Sequence, residues 1–115
     1  MKPIIWHNPK CSKSRETLKI LQDRGIEPEI RHYLDDPPSE EEIRAAIRAL
    51  GRPVPDLVRK QEPDYKAAGL GPDSSDDALI SAMARHPRLI ERPIVFVAAK
   101  ARIGRPPETV LELLT

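Results

Sequence analysis

Thirteen prolines are spread along the 115 residues of this chain, and they confine it to short elements separated by turns. Proline lacks a backbone N–H and has a fixed φ, so it interrupts helices and is excluded from central strand positions. Pro53, Pro55 and Pro63 restrict the segment around them to short turns of helix. The chain is therefore predicted to fold from short helices and strands, many of whose ends are marked by proline.

The first part of the sequence predicts a strand, a tight loop and a helix. A short apolar run predicts a buried strand over residues 2–7, and Pro9 breaks that strand. The apolar side chains of residues 12–23 fall mostly on one helical face, and Gly25 stands where a helix C-cap belongs. The first unit is thus strand, loop, helix.

The next segment predicts a second strand and a capped helix. We expect the strand over residues 29–33, with Ile30 pointing inward. Ser39, followed three residues later by Glu42, has the form of a capping box. The helix that begins there has apolar residues at helical spacing and is expected to end at Gly51.

The last part predicts one more helix, a hairpin and a terminal helix. The first of these follows Ser75 and stops near Pro87. Residues 94–98 give the strongest strand signal in the sequence, and a short strand over residues 102–104 is expected to pair with it. Pro106 then begins the final helix, since proline suits the first helical turn.

This order of elements predicts the fold class. Strand-helix-strand comes first, a helical insertion covers about residues 38–90, and strand-strand-helix closes the chain. We predict one α/β domain over residues 1–115, with the thioredoxin or glutaredoxin order of elements around a small mixed sheet.

Composition excludes several functional classes. Nineteen basic and 18 acidic residues leave a net charge of +1, which does not favour binding to nucleic acid. No stretch approaches the roughly 20 apolar residues of a membrane span, and the first residues do not form a secretory signal. Three scattered histidines and a single cysteine give no metal-ligand spacing and no internal disulfide. We expect a cytoplasmic protein without bound metal and without a nucleic-acid or membrane partner.

The single cysteine, Cys11, falls between the first predicted strand and the first turn of the predicted helix. Backbone N–H groups at a helix N-terminus stabilise a thiolate and also bind oxyanions. Positive charge lies close by in sequence, on Lys10, Lys13 and Arg15. His7 and Ser14 are also within plausible reach. We therefore expect a nucleophile with a lowered pKa beside an anion site.

The alternative is that Cys11 is an inert, buried core residue. Its neighbours are polar on both sides, which argues against burial. Ser14 stands where a Cys-x-x-Cys motif would place its second cysteine. Any redox cycle through Cys11 must therefore take its resolving thiol from another molecule.

Three arginines stand at predicted element boundaries, namely Arg59, Arg92 and Arg105. In a glutaredoxin-like fold the start of the third strand faces the active-site cysteine, and the proline there is usually cis. Arg92, directly before Pro93, is therefore expected near Cys11. Guanidinium groups suit tetrahedral oxyanions. Most other arginines are assigned to the solvated surface: Arg24, Arg31, Arg44, Arg48, Arg52, Arg85 and Arg88.

The loop His7-Asn8-Pro9-Lys10-Cys11-Ser12-Lys13-Ser14-Arg15 resembles the active-site loop of glutaredoxin-dependent arsenate reductases. The resemblance continues in order along nearly the whole chain, through His32-Tyr33-Leu34, Pro37-Pro38, Leu57-Val58-Arg59-Lys60, Ala68-Gly69-Leu70, Leu79-Ile80, His86-Pro87, Leu89-Ile90, Arg92-Pro93-Ile94-Val95 and Gly104-Arg105-Pro106.

This resemblance implies a function and a set of site residues. Cys11 matches the catalytic cysteine, and Arg59, Arg92 and Arg105 match the arginines that bind arsenate. His7 and Ser14 match loop residues that tune the cysteine. The implied activity is reduction of arsenate to arsenite through a cysteine-bound arsenate, with glutathione as co-substrate and glutaredoxin as partner. No bound cofactor is implied, and we expect a monomer.

Two alternatives share the same fold. The chain could be a thiol-disulfide or glutathione-linked reductase that acts on another substrate, which the sequence separates poorly from the first reading. It could also be a relative of the Spx transcription regulators, which usually carry Cys-x-x-Cys. Ser14 and the three arginines count against that last alternative.

Overall fold

The computed structural model describes residues 2–114 of the chain. These residues form two compact units, one built from residues 2–36 together with 92–114, and the other from Pro37–Glu91. The prediction of a single domain with a helical insertion stays a prediction. None of the helices within residues 2–114 is long and apolar enough to cross a membrane.

The first unit contains a four-stranded mixed sheet. Its strands are β1 (Ile4–Trp6), β2 (Glu29–Arg31), β3 (Ile94–Val97) and β4 (Lys100–Ile103). Their order across the sheet is β2-β1-β3-β4, in which β1 and β2 run parallel and the other two pairs run antiparallel. This arrangement confirms the predicted mixed sheet and α/β class.

Two helices cover this sheet and complete the core of the first unit. Helix α1 (Ser12–Asp23) has the bounds expected from its apolar face, and the C-terminal helix (Pro107–Leu114) is a 3-10 helix. Leu21 of α1 and Val110 of the terminal helix pack with the sheet residues Ile5 and Val95, all of them fully buried. The strand before Cys11 and the helix after it are thus both fixed by this core.

The structure corrects three expectations about the strands. Strand β2 ends at Arg31 instead of residue 33, and Ile30 is 39% exposed instead of facing inward. β2 is an edge strand of only three residues. The buried side chain of this segment is that of Tyr33, two residues beyond the end of the strand. Strand β4 begins earlier than predicted, at Lys100, because two residues suffice to turn the hairpin and one of them, Ala98, adopts a positive φ of 55°.

The second unit is helical. It contains α2 (Glu40–Leu50), α3 (Pro63–Ala67) and α4 (Asp76–Arg85), with short 3-10 turns at Val54–Leu57 and Pro87–Leu89. Its buried side chains include Ile43, Ala46, Leu57, Ile80, Met83, Leu89 and Ile90. An isolated antiparallel bridge pairs Val58, in the middle of this unit, with Ile90 near its end.

The capping box at Ser39 is confirmed. The Ser39 hydroxyl accepts from the Glu42 N–H at 3.1 Å, and the Glu42 carboxylate accepts from the Ser39 N–H at 3.0 Å. Gly51 ends the same helix in the left-handed region, with φ of 65°. Both ends of α2 therefore follow the signals read from the sequence.

Candidate active site at the start of the first helix

Cys11 is the N-cap residue of α1. After β1 the chain makes a tight loop in which the Cys11 N–H donates to the Asn8 carbonyl at 3.0 Å. The Cys11 carbonyl then accepts the first helical hydrogen bond, from the Arg15 N–H at 3.0 Å. The sulfur is thereby held at the end of α1 where backbone N–H groups have no partner within the helix.

The first turn of α1 contains no acidic residue, in contrast to the other long helices. Helix α2 begins with Glu40, Glu41 and Glu42, and α4 begins with Asp76 and Asp77. Acidic side chains in a first turn compensate the positive end of the helix macrodipole. At α1 no acidic side chain of the first turn compensates this positive end, so it can attract a bound anion.

The expectation that polar neighbours keep Cys11 exposed is wrong, because its side chain is only 8% exposed. The polar neighbours Ser12 and Lys13 face solvent, whereas the N-cap sulfur turns inward. Burial raises the pKa of the Cys11 thiol. This effect is outweighed by the backbone N–H groups of Ser14 and Lys13, which favour the thiolate, and by nearby guanidinium charges, so the net pKa is lowered.

Arg105 and Arg92 supply those charges. Nη2 of Arg105 lies 3.7 Å from Sγ of Cys11, and Nε of Arg105 donates to the Arg92 carbonyl at 2.8 Å. Arg92 is half-buried, and its Nε and Nη1 atoms are shielded from solvent. The peptide bond to Pro93 is cis, as expected, and the bond from Arg105 to Pro106 is also cis, which the sequence reasoning did not predict.

His7 and Ser14 form a buried pair beneath the loop. Nδ1 of His7 lies 2.6 Å from Oγ of Ser14, and the same oxygen accepts from the Asn8 N–H at 3.0 Å. Burial, with the charges of His32 and Arg15, lowers the pKa of His7. Nδ1 of a neutral His7 can accept a hydrogen bond from the Ser14 hydroxyl, so the pair fixes the loop's conformation.

Arg59 lies in the second unit, directly after the bridge at Val58. Its N–H donates to the Leu89 carbonyl at 2.7 Å. Its Nη1 forms an ion pair with Oε1 of Glu62 at 2.5 Å, and both side chains are largely buried. The structure thus gathers Cys11, Arg92 and Arg105 at one place in the first unit, with His7 and Ser14 behind the loop, and holds Arg59 against Glu62.

The model of the ArsC family matches residues 6–113. This chain is a member of the ArsC family. Its membership covers nearly every residue of both units and includes the loop, the helix start and the three arginines.

Relatives of this ArsC-family chain agree with that assignment. It is 49% identical to the uncharacterised protein YfgD of Escherichia coli K12 over 112 residues, covering 96% of this chain and 94% of the relative. It is 47% identical over 116 residues to an arsenate reductase of Haemophilus influenzae, covering 99% and 100% of the two chains.

The structure of an arsenate reductase from Vibrio cholerae superposes on this ArsC-family chain with a TM-score of 0.93. The two chains are 52% identical, and the match covers 97% of each. The likeness confirms the predicted thioredoxin-like fold.

Asn8, Arg15 and Glu62 of this ArsC-family chain make supporting contacts that were not predicted from the sequence, although Arg15 was named there as a positive charge near Cys11. The side-chain oxygen of Asn8 accepts from the Lys10 N–H at 3.0 Å, and Nη1 of Arg15 donates to the Pro9 carbonyl at 2.9 Å. Asn8 before proline is a recognised turn signal and could have been found. Glu62 stands three residues after Arg59, a spacing that suits an ion pair only if the intervening chain turns.

Proposed function

We propose that this protein reduces arsenate to arsenite, with glutathione as co-substrate and glutaredoxin as the partner that restores the Cys11 thiolate. One observation carries the proposal: Nη2 of Arg105 lies 3.7 Å from the sulfur of Cys11 at the start of α1. This arrangement joins a thiol of lowered pKa to a cation suited to a tetrahedral oxyanion. Membership of the ArsC family and the names of the relatives support arsenate as that oxyanion.

The first step is nucleophilic. The Cys11 thiolate attacks the arsenic of arsenate and forms a sulfur–arsenic bond, while one arsenate oxygen leaves as water after taking up protons. Arsenic remains in the pentavalent state. Arg105, Arg92 and the backbone N–H groups of the first turn of α1 stabilise the negative charge on the remaining oxygens.

The second step transfers the electrons. A glutathione thiolate forms a disulfide bond with the Cys11 sulfur, and the electron pair of the sulfur–arsenic bond passes to arsenic. Two thiols are oxidised to one disulfide, arsenic(V) becomes arsenic(III), and arsenite leaves. Because Cys11 is the only cysteine of the chain, a thiol of another molecule must then attack the mixed disulfide and release the Cys11 thiolate, and we assign this thiol to glutaredoxin.

Arg59 belongs to the proposed arsenate-binding set through its place in the sequence motif. Its guanidinium is held by the Glu62 carboxylate. His7 and Ser14 act on the chemistry only through the loop that they fix.

A coupled assay tests the proposal. NADPH oxidation is followed with purified protein, arsenate, glutathione, glutaredoxin and glutathione reductase, and arsenite is measured as product. We expect oxidation that requires arsenate, glutaredoxin and Cys11. Turnover of a small disulfide without any use of arsenate would support the alternative thiol-disulfide reductase. Absence of both activities, with binding to RNA polymerase, would support the Spx-like alternative.

A further inference from the structure

Gly104 lies where α1, the start of β3 and the end of β4 meet, and it has no room for a side chain. A Cβ atom built on it would lie 2.5 Å from Oγ1 of Thr17, 2.8 Å from Cγ of Pro93 and 3.3 Å from Cγ2 of Thr17. Carbon atoms in contact are ordinarily about 3.5–4.0 Å apart. Any residue other than glycine here must therefore displace its surroundings.

The surroundings of Gly104 are held in place. Thr17 is fully buried, and its hydroxyl donates to the Lys13 carbonyl at 2.8 Å. Pro93 is buried as well, and its carbonyl accepts from the Gly104 N–H at 2.9 Å, which fixes the distance between the two chain segments. Since neither neighbour can easily withdraw, the end of β4 itself would have to move.

Any displacement of the Gly104 backbone would also displace Arg105, the next residue. The Arg105 N–H donates to the Ile103 carbonyl at 2.9 Å, which closes a tight turn centred on Gly104. On the other side of that turn, the Arg105 guanidinium donates to the Arg92 carbonyl at 2.8 Å and reaches the Cys11 sulfur at 3.7 Å. The close approach at Gly104 therefore determines where this guanidinium lies.

We infer that Gly104 is a positioning residue: its missing side chain lets the end of β4 approach Thr17 and Pro93 closely enough to place the Arg105 guanidinium on the Cys11 sulfur. The inference deepens the proposed function, on which it rests for the part Arg105 plays in arsenate binding. The effect of Gly104 on Cys11 can be tested independently of the proposed function, because the reactivity of the thiol can be measured without arsenate.

The first experiment compares Gly104→Ala with the unaltered protein in the rate of Cys11 alkylation by iodoacetamide as a function of pH. Displacement of the Arg105 guanidinium weakens its hydrogen bond to the sulfur without removing it, and is expected to lower the rate below the thiol pKa roughly three- to tenfold. Where arsenate is reduced, KM for arsenate should rise by more than kcat falls. A folded Gly104→Ala protein with unchanged alkylation and unchanged KM would overturn the inference.

A matched pair of double variants tests the steric cause. Thr17→Ala removes both Thr17 atoms that crowd the added methyl group, whereas Thr17→Val keeps a side chain of the same shape. Combined with Gly104→Ala, the alanine change should restore most of the alkylation rate, and the valine change should not. Each Thr17 single variant serves as the reference for its double variant. Equal recovery in the two doubles would contradict the inference.

A third comparison separates positioning from general stability. In an Arg105→Ala background, Gly104→Ala should cause no further loss of Cys11 reactivity, because the group that it positions is gone, although it should still lower the unfolding temperature. Additive losses of reactivity would count against the inference.

If Gly104→Ala and its Thr17→Ala double both fail to fold, Gly104 serves packing alone and the inference falls. If the unaltered protein fails to reduce arsenate, the proposed function falls while the alkylation results still decide the role of Gly104.

Discussion

Nη2 of Arg105 lies 3.7 Å from Sγ of Cys11, although the two residues are 94 positions apart in the sequence. The contact joins the second residue after the end of β4 to the residue before the start of α1. It places a permanent positive charge against the one thiol of the chain. The testable consequences of this site concern the thiol, its cations and the loop that carries it.

Cys11→Ser is expected to abolish arsenate reduction, since a serine hydroxyl is not ionised at neutral pH and cannot supply electrons through a disulfide. We expect the arsenate-dependent rate to fall by more than about a thousandfold. The exposed neighbour Ser12, changed to alanine, is the control and should retain its turnover. Measurable arsenite production by the Cys11→Ser protein would exclude the mechanism.

Arg105→Ala and Arg92→Ala are expected to weaken arsenate use and leave the fold intact. Loss of one hydrogen bond to a charged group corresponds to a decrease in kcat/KM on the order of 10- to 100-fold. Because Arg105 is largely exposed, the unfolding temperature of the Arg105→Ala protein should differ little from that of the unaltered protein. The exposed Arg24, changed to alanine, should keep full activity, and unchanged kinetics in both site variants would remove these arginines from the site.

The Cys11 thiol should ionise below the ordinary value for cysteine, about 8.5. Burial raises its pKa, but the N–H groups of Ser14 and Lys13 and the charges of Arg92 and Arg105 together outweigh burial. The rate of alkylation should therefore reach its half-maximum below that pH, and either arginine variant should move it upward. A lowered folded pKa also means that ionisation favours the folded state, a contribution present above the unfolded value and lost as pH falls through the folded one. A half-maximum at or above about pH 8.5 would refute the helix-terminus argument.

Ser14→Ala is expected to destabilise the fold more than it changes the thiol. The substitution removes the partner of His7 Nδ1 and of the Asn8 N–H, both of which lie in a largely buried place. Leaving such groups without a partner costs about 1–3 kcal/mol, to be measured by urea unfolding. The backbone N–H of Ser14 persists, so the alkylation midpoint should shift less than in Arg92→Ala. Ser12→Ala should change neither quantity.

Local signals were sufficient to predict most of the elements. The capping box at Ser39 and the glycine at Gly51 set the bounds of α2, because both act through hydrogen bonds within a few residues. The prediction that Ile30 points inward was wrong. Distant parts of the chain determine which face of a short edge strand is covered. The burial of Cys11 was missed for the same reason: the polarity of sequence neighbours says little about a side chain at a helix cap.

The site shows the same division. Cys11 could be found from its position between a strand and a helix, but no local pattern indicates that Arg105 reaches its sulfur. That contact depends on the order of the strands and on the close approach at Gly104, where the requirement for glycine arises from Thr17 and Pro93 and not from a turn with positive φ. Recognition of the family motif named the arginines without explaining how they are placed.

The acid-free first turn of α1 also limits how this protein can be engineered for thermal tolerance. Introducing aspartate or glutamate at the start of a helix is an ordinary stabilising substitution, worth about 0.3–1 kcal/mol. Helices α2 and α4 already carry such residues, so α1 is the obvious remaining target. A carboxylate introduced there would offset the positive end of α1, on which binding of the proposed oxyanion depends, so we expect heat resistance gained at this turn to come with loss of turnover.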